Sequence, residues 1–370
     1  MVLFSCTTPS KKLFEVHEDL GKKFENKLNY TQEFNPYTYR NFYNGGGVAL
    51  GDINNDGLLD IYLSGNLVDN KLLLNKGDWE FEDITEKAGV SCKGVWSTGV
   101  TFADVNGDGL LDLYVCKSGK PGAENRHNEL FINQGNLTFR EESKSYGLDV
   151  LGLSVHAAFF DADLDGDLDC YVLNNSLRSV GGYDLIKDQR YTPDPNNEGN
   201  KFFENQNGVF IDKSTEKGIL TSTIGFGLGI TLSDFNNDRL PDLYISNDFF
   251  ERDYFYINTK EGFEETLETQ FNSISMGAMG ADAADLNNDL FPDLFVTEML
   301  PSSLKRQKLK AKYDSWDKYS LMNKKGYFHQ YPRNSLQRNT GNNQFFEISR
   351  FSGVAATEWS WASLLFDMNN

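Results

Sequence analysis

Residues 51–66 read GDINNDGLLDIYLSGN: acidic and amide side chains at every second position, then a glycine, then a strand-like apolar run. A polar turn could read this way once, yet the chain repeats it five times. The copies are DINNDGLLD from Asp52, DVNGDGLLD from Asp104, DADLDGDLD from Asp161, DFNNDRLPD from Asp234 and DLNNDLFPD from Asp285. Each keeps Asp at position one, Asn or Asp at three, Asp at five and Asp at nine, which unrelated turns have no reason to preserve. Alternate oxygen-bearing side chains on a tightly curled loop point at one centre. A backbone carbonyl from position seven completes a shell of hard oxygens, and that chemistry suits Ca²⁺.

The candidate ligands of the first loop are Asp52, Asn54, Asp56, Asp60 and the carbonyl of Leu58. The second offers Asp104, Asn106, Asp108, Asp112 and the Leu110 carbonyl, and the third Asp161, Asp163, Asp165, Asp169 and the Asp167 carbonyl. The fourth offers Asp234, Asn236, Asp238, Asp242 and the Leu240 carbonyl, and the fifth Asp285, Asn287, Asp289, Asp293 and the Phe291 carbonyl. An EF-hand shares the first half of this pattern but needs a Glu at position twelve and helices on both sides. Position twelve here is Leu63, Val115, Val172, Ile245 and Val296, and the flanks, such as GVTF before and DLYVCK after, are short β-rich runs. Each loop is expected to close a hairpin.

The loops start at 52, 104, 161, 234 and 285, and a second motif lies between them. It reads NKLLLNKGDWEFEDITEKAGV from Asn70 and NELFINQGNLTFREESKSYGL from Asn128, with further copies from Asn200, Asp253 and Asn334. Each copy is strand, Asn/Gly-rich turn, strand, so every period holds four strands. Four-stranded units recurring at about 50 residues mark a β-propeller.

The loop, the DLYV-type strand and the second hairpin, recurring in that order, resemble the FG-GAP/VCBS repeat of integrin α-like propellers. More closely they resemble the cartilage acidic protein (ASPIC/UnbV) family. The resemblance runs from about residue 40 to the end. It implies an all-β fold, a propeller of about seven four-stranded blades when complete, with Ca²⁺ held by the side chains at positions one, three, five and nine and by the carbonyl at seven. Position six departs from the pattern. It is Gly57, Gly109 and Gly166 in three loops but Arg239 and Leu290 in the last two. If the turn needs positive φ there, these residues cost on the order of 1 kcal/mol and weaken their sites. Pro241 and Pro292 are expected to stiffen the same turns. The final stretch, WSWASLLFDMNN, begins a sixth loop at Asp367 and Asn369, and the propeller is read as incomplete at its C-terminus.

The domain reading is an N-terminal tether over 1–25 followed by the propeller over 26–370, with insertions at 174–199 and 299–333. Leu3, Phe4, Ser5 and Cys6 resemble the end of a bacterial lipoprotein signal, so a lipid on Cys6 is expected, against the alternative of a plain thiol. The basic and long apolar segments that normally precede such a cysteine are missing. The expected location is secreted or on the outer membrane or cell surface, with any membrane contact made through that anchor alone. No run of eighteen apolar residues occurs. Cys92, Cys116 and Cys170 sit in or beside apolar runs, where a buried free thiol is the default; a Cys92–Cys116 disulfide is the alternative.

The formal charge is −19, with 54 Asp and Glu against 35 Lys and Arg. Much of it lies in the five loops, where five Ca²⁺ would offset about half of it. An acidic chain of this kind argues against nucleic acid as a partner. The insertion at 299–333 is different: it is rich in Lys and Arg and carries Tyr313, Trp316, Tyr319, Tyr327, Phe328 and Tyr331. It is expected either to cover the propeller face with its aromatics buried or to grip an acidic glycan or a protein. The four histidines, His17, His127, His156 and His329, form no HExxH and no triad-like neighbourhood. Gly45–Gly47 and the alternating Gly225, Gly227 and Gly229 belong with strands, where close packing needs them. The favoured reading is an extracellular, calcium-stabilised propeller that binds an unidentified protein or glycan. The alternatives are a polysaccharide-active enzyme using the propeller face and a scaffold for a further C-terminal domain.

Overall fold

The β-rich runs on either side of each acidic loop pair as antiparallel hairpins, and each hairpin continues into the next two strands to make a four-stranded sheet. A computed structural model describes residues 14, 16, 24–120, 125–176, 189–194, 199–222, 224–310 and 315–368. The first sheet is β1 (Val48–Gly51), β2 (Asp60–Leu63), β3 (Lys71–Asn75) and β4 (Phe81–Asp83). The second is β5 (Ser97–Ala103), β6 (Asp112–Lys117), β7 (Glu129–Asn133) and β8 (Phe139–Glu141). The third is β9 (Ser154–Phe160), β10 (Asp169–Asn174), β11 (Lys201–Asn205) and β12 (Phe210–Asp212). The fourth is β13 (Gly227–Ser233), β14 (Asp242–Asn247), β15 (Tyr254–Thr259) and β16 (Gly262–Glu265). After the short β17 (Ile274–Ser275), the fifth sheet begins with β18 (Gly280–Ala284) and β19 (Asp293–Thr297). Past β20 (Gln330–Tyr331), which pairs in parallel with β17, it ends with β21 (Ser335–Asn339) and β22 (Phe345–Glu347).

The first strands of successive sheets, β1, β5, β9, β13 and β18, pack against one another in chain order. Thr98 Oγ1 donates to the Ser154 carbonyl at 2.8 Å, Thr101 Oγ1 to Ala157 at 2.7 Å and Thr231 Oγ1 to Ala281 at 2.9 Å, each crossing to the next inner strand. Glycine makes this approach possible. A Cβ on Gly47 would lie 2.7 Å from the Thr98 carbonyl oxygen, and one on Gly99 2.4 Å from that of Val155. Such contacts are shorter than real Cβ atoms make, so only glycine fits. Up-and-down sheets set radially about a shared inner edge make an all-β propeller, as the periodicity predicts. The stretch past Trp359 runs beside the fifth sheet: the Leu365 N–H donates to Asp282 Oδ2 at 2.6 Å and Ser363 Oγ to the Phe295 carbonyl at 3.3 Å.

The core is a series of layers, each between two neighbouring sheets. Tyr62, Leu72 and Leu74 of the first sheet meet Leu113, Val115 and Phe131 of the second. Tyr171 and Phe202 of the third meet Leu243, Tyr254 and Tyr256 of the fourth. Each such side chain contributes roughly 1.5–3 kcal/mol on burial, so no blade stands without its neighbours.

The later part of the insertion at 299–333 packs against the fold. Met322 and Tyr327 are buried with Ile224, with Phe250 and Met276 packed against them. Arg190 and Glu251, each 1% exposed, form an ion pair, and Arg190 Nη2 also donates to the Gly326 carbonyl at 3.0 Å. This joins the end of the first insertion region to the second. Trp316 remains 75% exposed, while Tyr313 lies outside the described residues. So do most of the tether at 1–25, Cys6 included, most of the insertion at 174–199, and Asn369. The Cys92–Cys116 disulfide is overturned: Cys92, Cys116 and Cys170 are free thiols, and Cys92 Sγ donates instead to Glu129 Oε2 at 3.1 Å. Cys92 packs on the layer between the first two sheets and Cys116 lies in the next, so a wall of strands separates them. Among the described residues no helix is long and apolar enough to cross a membrane.

Candidate metal centres

All five acidic loops join the first strand of a sheet to the second, so they gather at one end of the packed sheets. Their local geometry repeats. The position-five N–H donates to the position-one carboxylate at 3.0–3.1 Å, as Asp56 does to Asp52 and Asp165 to Asp161. The position-six N–H donates to the other oxygen of the same carboxylate, at 2.7 Å from Gly57, 2.8 Å from Gly109 and 3.1 Å from Gly166. The position-seven N–H then donates to the position-five carboxylate, as Leu110 does to Asp108 at 2.9 Å. These bonds curl the chain so that side chains one, three and five face inward. In the third loop, where all three are carboxylates, ligand oxygens of Asp161, Asp163 and Asp165 lie within 4.8 Å of one another. Where position three is Asn, its amide nitrogen donates to the position-five Asp at 2.9–3.1 Å in the first, second and fourth loops. The amide oxygen of that Asn accepts the position-five N–H and keeps a further lone pair, a neutral ligand atom in place of a carboxylate's charged one.

The curl requires left-handed backbone at position six, and every loop has it: φ is 85° at Gly57, 84° at Gly109 and 96° at Gly166. Arg239 and Leu290 adopt the same conformation, at 78° and 73°, and their N–H groups still reach Asp234 and Asp285 at 2.8 Å. Both departures from glycine are therefore accommodated at a conformational cost rather than by a different loop. Position four is also left-handed, at Asn55, Gly107, Leu164, Asn237 and Asn288. The sequence reasoning missed this, although the Asn and Gly there were the available signal. Two of these asparagines reach the neighbouring loop: Asn55 Nδ2 donates to the Gly109 carbonyl and Asn237 Nδ2 to that of Leu290, both at 3.0 Å.

Position nine plays a second part. Asp60, Asp112, Asp169, Asp242 and Asp293 are at most 3% exposed. One oxygen of each accepts the N–H of loop position two, as from Ile53 at 3.0 Å and Phe235 at 2.9 Å. The other accepts the N–H of an asparagine at or next to the end of the third strand: Asn75 at 2.7 Å, Asn133 at 2.8 Å, Asn205 at 2.9 Å, Asn258 at 2.8 Å and Asn339 at 2.9 Å. These asparagines belong to the second sequence motif, so the two motifs recur together because they bond to each other. Each carboxylate oxygen keeps a further lone pair for a cation.

The electrostatics separate the two kinds of carboxylate. Burial pushes Asp112 up to about 6 and Asp169 and Asp242 up to about 7, against the pull of their two backbone N–H donors, and neighbouring loop carboxylates add to the rise. Asp167 rises to about 6, through desolvation and then through repulsion from Asp165 and Asp163. For Asp52 and Asp285 desolvation is the largest single effect and works upward, but the backbone N–H groups of the loop together outweigh it and hold both below the usual carboxylate range. A divalent cation in such a loop would relieve the mutual repulsion.

An FG-GAP-like repeat model matches residues 52–115 and 234–296, spanning the first, second, fourth and fifth loops. The chain carries FG-GAP-like repeats. The third loop lies outside those matched spans yet has the same hydrogen bonds as the other repeats. Cartilage acidic protein 1 of Xenopus tropicalis is 29% identical to the chain over 213 residues, 56% of this chain and 29% of that protein. The Homo sapiens protein is 28% identical over 210 residues, 55% of this chain and 28% of its own length. The matches thus span less than a third of these curated relatives. Among solved structures, a lectin of Agrocybe aegerita that recognises non-reducing terminal N-acetylglucosamine aligns over 81% of this chain and 64% of its own, at 15% identity and a TM-score of 0.43. A mutant of AofleA from Arthrobotrys oligospora aligns over 82% and 72%, at 10% identity and a TM-score of 0.41.

The described histidines do not gather with the FG-GAP-like loops. His127 bonds the Asp149 carbonyl, His329 bonds Tyr319 and Asn323, and His156 stands on inner strand β9, near the start of that strand and away from its metal loop.

Proposed function

We propose that the chain is a calcium-stabilised extracellular β-propeller that acts as a binding module for a protein or glycan at a cell surface, secreted or held by a lipid. The observation that carries the calcium reading is the third loop, where Asp161, Asp163 and Asp165 bring three carboxylate oxygens together. In each loop the side chains at positions one, three, five and nine and the carbonyl at seven would hold one Ca²⁺. The cation would supply charge neutralisation and a rigid hairpin tip; the sixth loop begun at Asp367 would add a site. Binding to the folded chain alone couples the metal to stability. The propeller presents its loops and insertions on a rigid frame, which suits recognition.

Thermal melts of the full chain in Ca²⁺, and in EGTA with Mg²⁺ present, test the metal reading. Extracellular Ca²⁺ modules hold the ion at about 10⁻⁴–10⁻³ M, so millimolar Ca²⁺ is expected to raise the melting temperature where Mg²⁺ does not. Equal melting in both, with no calcium found by elemental analysis of the protein, would refute it. Capture of glycans or extracellular proteins by the immobilised chain tests the binding role.

A further inference from the structure

The buried residues of the basic insertion, Met322 and Tyr327, anchor a row of aromatic rings that stays at the surface. The helix Trp316–Lys324 sets Trp316, Tyr319 and Asn323 three and four residues apart, on one face. Beyond it, β20 fixes the backbone of two more members: the Ile274 N–H donates to the His329 carbonyl at 3.0 Å and the Met276 N–H to that of Tyr331 at 2.9 Å. The Tyr319 ring lies 5.5 Å from Trp316, at 37°, and 6.1 Å from Tyr331, at 25°. The Arg333 guanidinium extends the row, 4.9 Å from the Tyr331 centroid.

Trp316 is 75% exposed and Tyr319, His329 and Tyr331 are half-buried, so the row can be reached from solvent. Its polar atoms are fixed in advance. Tyr319 Oη shares hydrogen bonds with His329 Nδ1 at 2.6 Å and with Tyr331 Oη at 3.3 Å, and Asn323 Nδ2 donates to the same Nδ1 at 2.8 Å. With Nδ1 accepting, the imidazole carries a proton on Nε2. That nitrogen has no partner among the described residues and is not one of the enclosed atoms, so its N–H is open to an acceptor from outside.

The charge around the row runs against the rest of the chain. Residues 299–333 hold nine Lys and Arg against two Asp, in a chain whose formal charge is −19. Lys324, next to Asn323, is exposed and makes no ion pair among the described residues; the same holds for Lys305, Lys308 and Lys310 of the helix Leu304–Lys310. Unpaired cations of this kind complement an anion. A dense polyanion such as duplex nucleic acid would be repelled by the remaining surface. A glycan with a carboxylate on every sugar or every second sugar would place fewer charges there. Its C–H faces suit the exposed Trp316 ring and its hydroxyls suit the His329 N–H.

We propose that this row is the binding site for an acidic, uronate-containing glycan, with one sugar stacked on Trp316, His329 Nε2 donating to a sugar oxygen and Lys324 meeting a carboxylate. The site rests on the binding-module reading and gives it a ligand class.

The test uses the full chain in Ca²⁺, titrated by calorimetry with hyaluronate and oligoglucuronate fragments. Cello-oligosaccharides serve as the neutral control and vesicles of anionic phospholipid as the non-glycan anion. At least one uronate fragment is expected to bind, more weakly as salt rises, and the neutral fragments are not. Trp316→Ala removes an exposed ring and is expected to weaken binding by about tenfold. Lys324→Glu is expected to weaken it most at low salt. Trp79→Ala, at a ring 65% exposed on the distant β3–β4 turn, is expected to leave it unchanged. No uronate binding up to about 10 mM overturns the site, as does undiminished binding by folded Trp316→Ala and Lys324→Glu chains. Equal binding of the cello-oligosaccharides overturns the acidic class, and vesicle binding that depends on the same residues overturns the glycan in favour of a lipid surface. Capture of a protein or neutral glycan by Trp316→Ala at the wild-type level, with no uronate binding, overturns this site and leaves the binding module standing. Failure of the wild-type chain to capture any glycan or protein takes both readings down.

Discussion

Replacing Leu290 by glycine should stabilise the protein, against the general tendency of substitutions to destabilise. Leu290 holds φ at 73° and its side chain is 78% exposed, so little burial is lost when it is removed. The left-handed conformation costs an L-residue about 1–2 kcal/mol. The added freedom of glycine in the unfolded chain returns about 0.4–1 kcal/mol of that. The net expectation is a gain of roughly 0.5–1 kcal/mol, about 1 °C for a chain of this size. The mirror experiment is Gly109→Ala, where φ is 84° and a new Cβ would meet nothing within 4 Å. With no clash to confuse it, the backbone term alone should cost a similar amount. Calorimetric melts of both variants, in Ca²⁺ and in EGTA, read the effect. A Leu290→Gly protein that melts below wild type, together with an unaffected Gly109→Ala, would refute the claim that the loop curl enforces this conformation.

Asp108→Ala removes a candidate position-five ligand and the acceptor of both the Leu110 N–H and the Asn106 amide. In EGTA the loss should be about 1–3 kcal/mol, two hydrogen bonds at about 0.5–1.5 kcal/mol each. In Ca²⁺ at ten times the dissociation constant it should grow by about 1.4 kcal/mol; equal losses in paired denaturant titrations would mean that Asp108 only shapes the turn. Glu298 offers a pH test. It is 4% exposed, its Oε2 has no partner, and burial raises it to about 7, with the Met299 and Leu300 N–H groups opposing the rise and the Asp248 charge adding to it. A carboxyl whose folded value lies above its unfolded one binds its proton more tightly when folded, so its contribution is full below about pH 4.5 and fades as pH rises through 7. Glu298→Gln should therefore gain stability relative to wild type as pH goes from 5 to 8. A difference that stays flat across melts in that range would show that Glu298 is not held protonated.

The repeated acidic loops were legible because their geometry is local. The side chains of Asp52, Asn54 and Asp56 and the turn at Gly57 are fixed by hydrogen bonds spanning two to five residues, and such bonds recur as spacing in the sequence. The four-stranded period was legible for the same reason: alternation and turn residues decide each hairpin by itself. Even the pairing of the two motifs was visible as repetition, although its cause, the N–H of Asn75 and its equivalents on the position-nine carboxylate, was not. Tertiary structure alone decided the rest. It set the thiols of Cys92 and Cys116 in different layers and tied Arg190 to Glu251 and to Gly326 of a distant insertion. Those contacts join residues dozens to more than a hundred positions apart. They depend on how whole sheets pack around a shared inner edge, and no spacing along the chain encodes that arrangement.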